Sequence, residues 1–290
     1  MGRHSILTKK TAPYVFILPF FILTAVFSLY PYLFALYTSF FRWAGFGEMQ
    51  FIGFQNYVNI IKDTRFFLTL KNVFFIFFMN VPFMVFTALV FAAILSVADI
   101  RFRSSFRAIL YMPNITNIIA VSYVFSMLIA PTGIFNSILT SIGLNPLPWL
   151  GNGMLARLSI AMLTTWRWVG YNTIIMMAGI QGISLDLYDA ASIDGSGKVG
   201  SFFRITLPLM KPVILFSALM STIGTVSMFA EPMIMTQGNP MNQTLTPVLY
   251  LFKESFQNMN AGYASAMAYA IFIILMILSA IEVRVGRSDY

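Results

Sequence analysis

The chain has 290 residues, 58% of them hydrophobic and 10% charged, and it contains no cysteine. A soluble domain carries about 25% charged residues, so the composition points to a lipid-facing protein, and the lack of cysteine excludes disulfide and thiolate chemistry. The formal charge of +8 does not argue for nucleic acid: the basic residues form no stripe or arginine-rich arm and stand at the ends of apolar segments.

The first ten residues, MGRHSILTKK, lead into a long apolar run without an A-x-A-like cleavage site, which reads as a retained signal-anchor helix. Ile6 stands where a myristoylation signal needs Ser or Thr. A bilayer core of ~30 Å takes about 20 predominantly apolar residues per helix. Six stretches qualify, at about 13–40, 72–98, 107–130, 155–182, 208–236 and 261–283. Pro19, Pro31, Pro82 and Pro113 interrupt them, which spanning helices tolerate when neighbours satisfy the freed carbonyls. No internal repeat or separate soluble segment is visible. The expected fold class is an all-α integral membrane protein, one transmembrane domain over 1–290.

Orientation follows from the Lys and Arg of the connections. With the N-terminus inside, the inner segments hold eleven: Arg3, Lys9, Lys10, Arg101, Arg103, Arg107, Lys198, Arg204, Lys211, Arg284 and Arg287. The outer segments hold six over a greater length: Arg42, Lys62, Arg65, Lys71, Arg157 and Lys253. Both termini are therefore expected in the cytoplasm, together with 183–207. Outside lie 41–71, 131–154 and 237–260.

The stretch GSGKVG (195–200) is a literal G-x-G-x-x-G. That pattern signifies a dinucleotide site only after a strand and at the opening of a helix, and here membrane spans flank it on both sides. The phosphate-loop pattern fails as well, with Ser192 and Val199 where Gly and Ser or Thr are needed. The local signals describe an elbow instead. Ser184 suits an N-cap, and Asp186 and Asp189 suit the positive end of a helix. SLDLYDAASID then forms a short helix with Leu187, Tyr188, Ala191 and Ile193 available for burial. Gly195 is suited to the left-handed residue that ends it. A second short helix, GKVGSFFRI, follows until Pro208 opens the next span. Small Ala190 and Ala191, beside exposed Tyr188 and Phe202, suggest close approach by a partner.

DAASIDG (189–195), followed by Phe202, Ile205, Leu207 and Pro208, resembles the coupling-loop signature of binding-protein-dependent ABC-transporter permeases. More narrowly, the chain resembles sugar permeases of the maltose and glycerol-phosphate type. FIGFQNYVNI (51–60), TTWRWVGYNTIIMMAGIQGIS (164–184) and MTQGNPMNQTLTPVLYLF (235–252) agree. The resemblance implies the type I importer permease fold with a cytoplasmic coupling helix, in a bacterial or archaeal plasma membrane. Asp189, Ala190, Ala191, Asp194, Gly195 and Phe202 would then couple to the ATPase. Asp189 stands where Glu is usual, and Ser196 replaces the commoner Ala. The implied partners are a second permease subunit, two ATP-binding subunits that would bind ATP and Mg, and an extracytoplasmic solute-binding protein. No cofactor or metal is expected in this chain, and no enzymatic activity.

A solute path should cross the bundle where residues are too polar or aromatic for lipid. Tyr171 lies roughly 18 Å from Ile183 along a helix; Ser221 and Thr225 lie roughly 20 and 26 Å above Pro208. They share a depth on consecutive spans. Ser221, Thr225 and Met228 occupy one helical face, and Trp168 shares a face with Tyr171. Aromatic rings stack on saccharide C–H surfaces while hydroxyls exchange hydrogen bonds, and in the maltose-type relatives solute contacts also come from these two spans. For Ser221 and Thr225 a second reading stays open, interhelical packing. Arg167, an intramembrane cation, is expected to face the pathway or to pair with an acid of the partner permease. Glu231 is a weaker candidate, roughly 35 Å from Pro208 and so close to the outer surface. His4 and the nineteen methionines carry no argument for metal. The expected function is half of the pathway of an ATP-driven importer for a mono- or oligosaccharide. The alternatives are glycerol-3-phosphate or another small polar solute, and an ATP-independent secondary transporter, which would need ion-coupling carboxylates within the spans.

Overall fold

The computed structural model describes residues 12–97 and 103–287. Arg3, Lys9, Lys10 and Arg101, which contribute to the orientation, lie outside the described residues, as does the signal-anchor reading of residues 1–10. The chain divides into two compact units. One holds the residues up to Lys62 together with Leu251–Ile271; the other holds Asp63–Tyr250 and the remainder from Phe272.

In the first unit, α1 (Ala12–Thr24), a π-helical turn (Ala25–Leu29) and α2 (Tyr30–Thr38) form one continuous apolar helix. Its residues 13–34 are all exposed, as a lipid-facing helix requires. A two-residue ladder follows, with β1 (Phe41–Arg42) antiparallel to β2 (Gln50–Phe51) and Phe41 opposite Phe51. Then comes α3 (Gln55–Lys62). Asn56 holds this corner, its buried amide donating to the carbonyls of Ser39 (2.8 Å) and Phe41 (3.0 Å). The helix α15 (Ala261–Arg287) begins here. Its Gly262 donates to Trp43 O at 3.0 Å, and a Cβ on Gly262 would overlap Phe41 O.

The second unit is built on α4 (Thr64–Val97), α5 (Arg103–Ile115), α6 (Ile118–Leu128), α7 (Ile134–Ser141) and α8 (Gly153–Gln181). After α8 come α9 (Leu185–Ile193), α10 (Lys198–Ser201), a π-helical turn (Phe202–Thr206) and α11 (Leu207–Leu209). The remainder is α12 (Lys211–Val226), α13 (Ala230–Met235) and α14 (Pro247–Phe252), which ends in the first unit.

The pair α4 and α8 makes the most extensive helix contact. Ala88 and Ala92 on α4 are fully buried with Val169, Met176 and Met177 of α8 and with Met210. One turn apart on a single face, the two alanines let the helices approach closely.

Among the described residues, four helices are long and apolar enough to cross a membrane: Ala12–Thr38, Thr64–Ser96, Lys211–Met235 and Ala261–Gly286. The 29-residue α8 has the length, about 44 Å at 1.5 Å per residue, but is more polar. Arg157, Ser159, Thr164, Asn172 and Thr173 are buried on it. A helix enclosed by protein need not be apolar, and Ser159, Thr164 and Thr173 each donate to the carbonyl one turn back at 2.7–2.8 Å.

One expected span is corrected. The stretch 107–130 is not one helix: α5 and α6 meet at 96°. The cause is local. Thr116 Oγ1 bonds Pro113 O at 2.6 Å, and Asn117 caps α6 by accepting from Ile119 N (2.9 Å) and Ala120 N (3.4 Å). The stretch 208–236 stands as the candidate span Lys211–Met235, with Pro212 in its first turn and an interruption after Val226.

Close approach of α5 to α8 depends on Gly170, where a Cβ would overlap Leu110 O. Backbone cannot step aside as a rotamer can. Gly170→Ala is expected to push the helices apart and cost about 1–3 kcal/mol. A lowered melting temperature of the purified protein would register it; an unchanged one would refute the contact.

Candidate functional site

A cavity of about 310 Å³ lies between α4, α8 and the α12–α13 break. Arg167, Trp168, Tyr171, Ser221, Thr225 and Met228, all expected on the pathway, line it together. The cavity brings these residues of the two spans together. Trp168 and Tyr171 meet edge to face, with centroids 5.5 Å apart. Thr225 is buried, and its hydroxyl donates to Ser221 O at 2.8 Å, so its proton serves its own helix.

The cation finds its acid within the same chain. Arg167 Nη1 stands 3.9 Å from Glu231 Oε1, and its guanidinium carbon lies 5.5 Å from the centre of the Trp168 ring. Glu231 is buried and lines the cavity. The estimate of its depth assumed a straight helix, whereas α12 ends at Val226 and α13 restarts at Ala230. The break brings Glu231 to the cavity wall.

Sequence reasoning missed the amides. Asn80 of α4 and Asn172 of α8 both line the cavity. Asn80 Oδ1 accepts from Thr165 Oγ1 at 2.8 Å, while its buried Nδ2 has no partner among the described residues. Asn172 donates to Trp168 O at 3.1 Å and accepts from Ser217 Oγ. A signal was present, since an amide within the apolar run FFIFFMNVPF (74–83) is costly unless it serves a site or a network.

The second element is the elbow. Ser184 Oγ accepts from Asp186 N at 3.3 Å and donates to Asp186 Oδ2 at 3.0 Å, which caps α9. At the other end Gly195 has φ +80, and Ser196 N reaches back to Ala191 O at 2.8 Å. This is the left-handed helix stop expected of that glycine. Gly197 is the extended N-cap residue of α10, and Gly200 packs on Ser196, whose Oγ would lie 2.8 Å from an added Cβ.

Asp189, Ala190, Asp194 and Gly195 are exposed, and Ala191 is half-buried. The expected burial is partly reversed. Ile193 is 87% exposed and Leu187 is exposed, whereas Tyr188 and Phe202 are half-buried. The reason is the fold of the elbow on itself. Tyr188 OH bonds Thr206 Oγ1 at 2.8 Å, and Tyr188 and Phe202 line a cavity of about 560 Å³ between the elbow and the C-terminal ends of α4 and α8. The surface left for a partner carries Asp189, Asp194, Ile193 and Val199, with Ala190 between them.

Apolar spanning helices around a partly polar cavity, with an exposed helical elbow, define a membrane transport subunit. The chain belongs to the family described as binding-protein-dependent transport system inner membrane component, which matches residues 64–285. It is 35% identical over 279 residues to a lactose transport system permease protein of Rhizobium radiobacter, covering 94% of this chain and 93% of that one. It is 32% identical over 289 residues to an arabinooligosaccharides transport system permease protein of Bacillus subtilis, covering 99% and 92%. Among solved structures, a bacterial ABC transporter involved in the import of the acidic polysaccharide alginate matches with TM-score 0.85 at 20% identity, covering 97% of each chain. The fold is that of a type I ABC importer permease.

Proposed function

We propose that this chain forms half of the pathway of an ATP-driven importer for a mono- or oligosaccharide. The observation that carries the reading is the cavity, where paired aromatic rings, amides and hydroxyls from three helices face one space. Saccharides are gripped by that combination. The transport of lactose and arabinooligosaccharides by similar permeases supports the substrate class. An extracytoplasmic binding protein would deliver the solute, and a second permease would complete the path. Two cytoplasmic ATPase subunits, carrying ATP and Mg, would move the 183–207 elbow. Six spans with both termini cytoplasmic fit this arrangement, α5 and α6 together making one bent crossing. The solute must bind the inward- and outward-open states with different affinity if the cycle is to pump it.

The test is purification of the tagged chain from its native membrane. A second permease and an ATPase should accompany it, and a saccharide-loaded binding protein should stimulate hydrolysis. Transport by the chain alone in vesicles would overturn the reading. Within the working complex, Tyr171→Ala is expected to lower saccharide uptake about tenfold, the equivalent of ~1.4 kcal/mol. ATPase activity without binding protein should not change. Full uptake by that variant would remove Tyr171 from the pathway.

A further inference from the structure

The cavity holds one cation and one anion side by side, and they do not hydrogen-bond each other. Arg167 Nη1 and Glu231 Oε1 are 3.9 Å apart, beyond the 2.7–2.9 Å of a charge-assisted hydrogen bond. Arg167 Nε is buried with no hydrogen-bond partner among the described residues. Both side chains are largely removed from solvent, at 16% and 9% exposure, so neither charge is screened as it would be on a surface. The guanidinium therefore keeps donors to offer, and the carboxylate keeps lone pairs, within reach of one guest.

We propose that Glu231 is a specificity-determining residue that makes the pathway select uncharged polyhydroxyl solutes and reject acidic ones. The proposal rests on the reading of the cavity as a saccharide pathway. A sugar hydroxyl both accepts and donates, so neighbouring hydroxyls can take a proton donor from Arg167 and give one to Glu231. A carboxylate or phosphate could take the Arg167 donors but would then stand against the Glu231 carboxylate, and like charges in a desolvated site repel strongly. Without Glu231 the same guanidinium would be a ready anion site. Trp168, stacked near the guanidinium, serves the apolar face of the ring in either case.

The test uses the full chain in nanodiscs with its accompanying subunits and without binding protein, so that the permease alone discriminates. Lactose, maltose and arabinobiose serve as neutral probes, digalacturonate as the acidic probe and diglucosamine as the cationic one, each followed by equilibrium dialysis. The wild type should bind at least one neutral probe more tightly than digalacturonate. Glu231→Gln should raise the ratio of digalacturonate to neutral affinity about tenfold or more, and Arg167→Gln should raise the ratio of diglucosamine to neutral affinity instead. The two variants change the charge of the cavity in opposite directions, so one that folds poorly leaves the other to decide. Unchanged ratios with intact neutral binding would overturn the assignment of Glu231 and leave the pathway standing. Absence of neutral binding in the wild type would overturn the pathway reading and this proposal together.

Discussion

Gly195→Asp and Asp194→Arg are each expected to abolish uptake and solute-stimulated ATP hydrolysis while the chain inserts and assembles normally. The separation of effects follows from the elbow. Gly195 has φ +80, and nothing lies within 4 Å of a Cβ built on it. A side chain there meets no steric obstacle within this chain, and the left-handed conformation costs a non-glycine residue only about 1–2 kcal/mol. That is too little to unfold a membrane helix bundle, so loss of function must arise where the new side chain points, outward from an exposed surface. Asp194 is likewise exposed, and reversal of its charge should repel any basic partner that it meets. Gly195→Ala separates the causes further, because Ala bears the left-handed cost yet adds little bulk to the same surface. If contact governs, Ala should be nearly silent. If backbone geometry governs, Ala should impair coupling almost as Asp does. Normal solute-stimulated hydrolysis in both primary variants would remove the elbow from the coupling path.

How much of this is legible in sequence depends on whether the signal is local. The elbow is, because Ser184, Asp186 and Gly195 announce the start and stop of a nine-residue helix. The convergence of Tyr171 with Ser221 and Thr225 is also legible, since depth along a straight helix is linear in residue number. That same linearity misleads wherever a span breaks. Hydropathy measures how much chain is apolar and is blind to where it turns, so Asn117 and Ser227 pass as ordinary intramembrane polar residues. The consequence reaches the site, because Glu231 meets Arg167 only through the break between α12 and α13. Burial within the elbow is hidden for a related reason. Tyr188 turns inward only because Thr206, on the opposite arm, offers it a hydroxyl.

Arg157 shows the same limit at its largest energetic scale. By position it reads as one more charge of an outer segment, but it is buried and ties three pieces of the second unit together. Its Nε donates to Gln243 O at 2.6 Å and its Nη2 to Asn72 Oδ1 at 2.8 Å. Asn72 in turn donates to Asn242 O (2.7 Å) and Leu245 O (2.9 Å), and the guanidinium carbon lies 5.0 Å from the centre of the Phe75 ring. The loop from Gln237 to Thr246 contains three non-glycine residues with positive φ, Gln237, Met241 and Asn242, a shape that needs outside support. Arg157→Ala removes two hydrogen bonds from a charged donor and leaves one buried and one half-buried acceptor unmet. The expected loss is about 3 kcal/mol, from 1.5–3 for each such bond with partial relaxation. Arg157→Lys should recover little, because one ammonium cannot occupy the Nε and Nη2 positions together. Gln243→Ala should be mild, since only its main-chain oxygen accepts from Arg157. Asn72→Ala should approach the Arg157→Ala loss, and the double variant should cost much less than the sum. Thermal unfolding of the wild type, Arg157→Ala, Asn72→Ala and the double variant gives the cycle, and amide exchange over 237–246 gives the location. Additive losses, or an undisturbed loop in Arg157→Ala, would show that the guanidinium only fills space there.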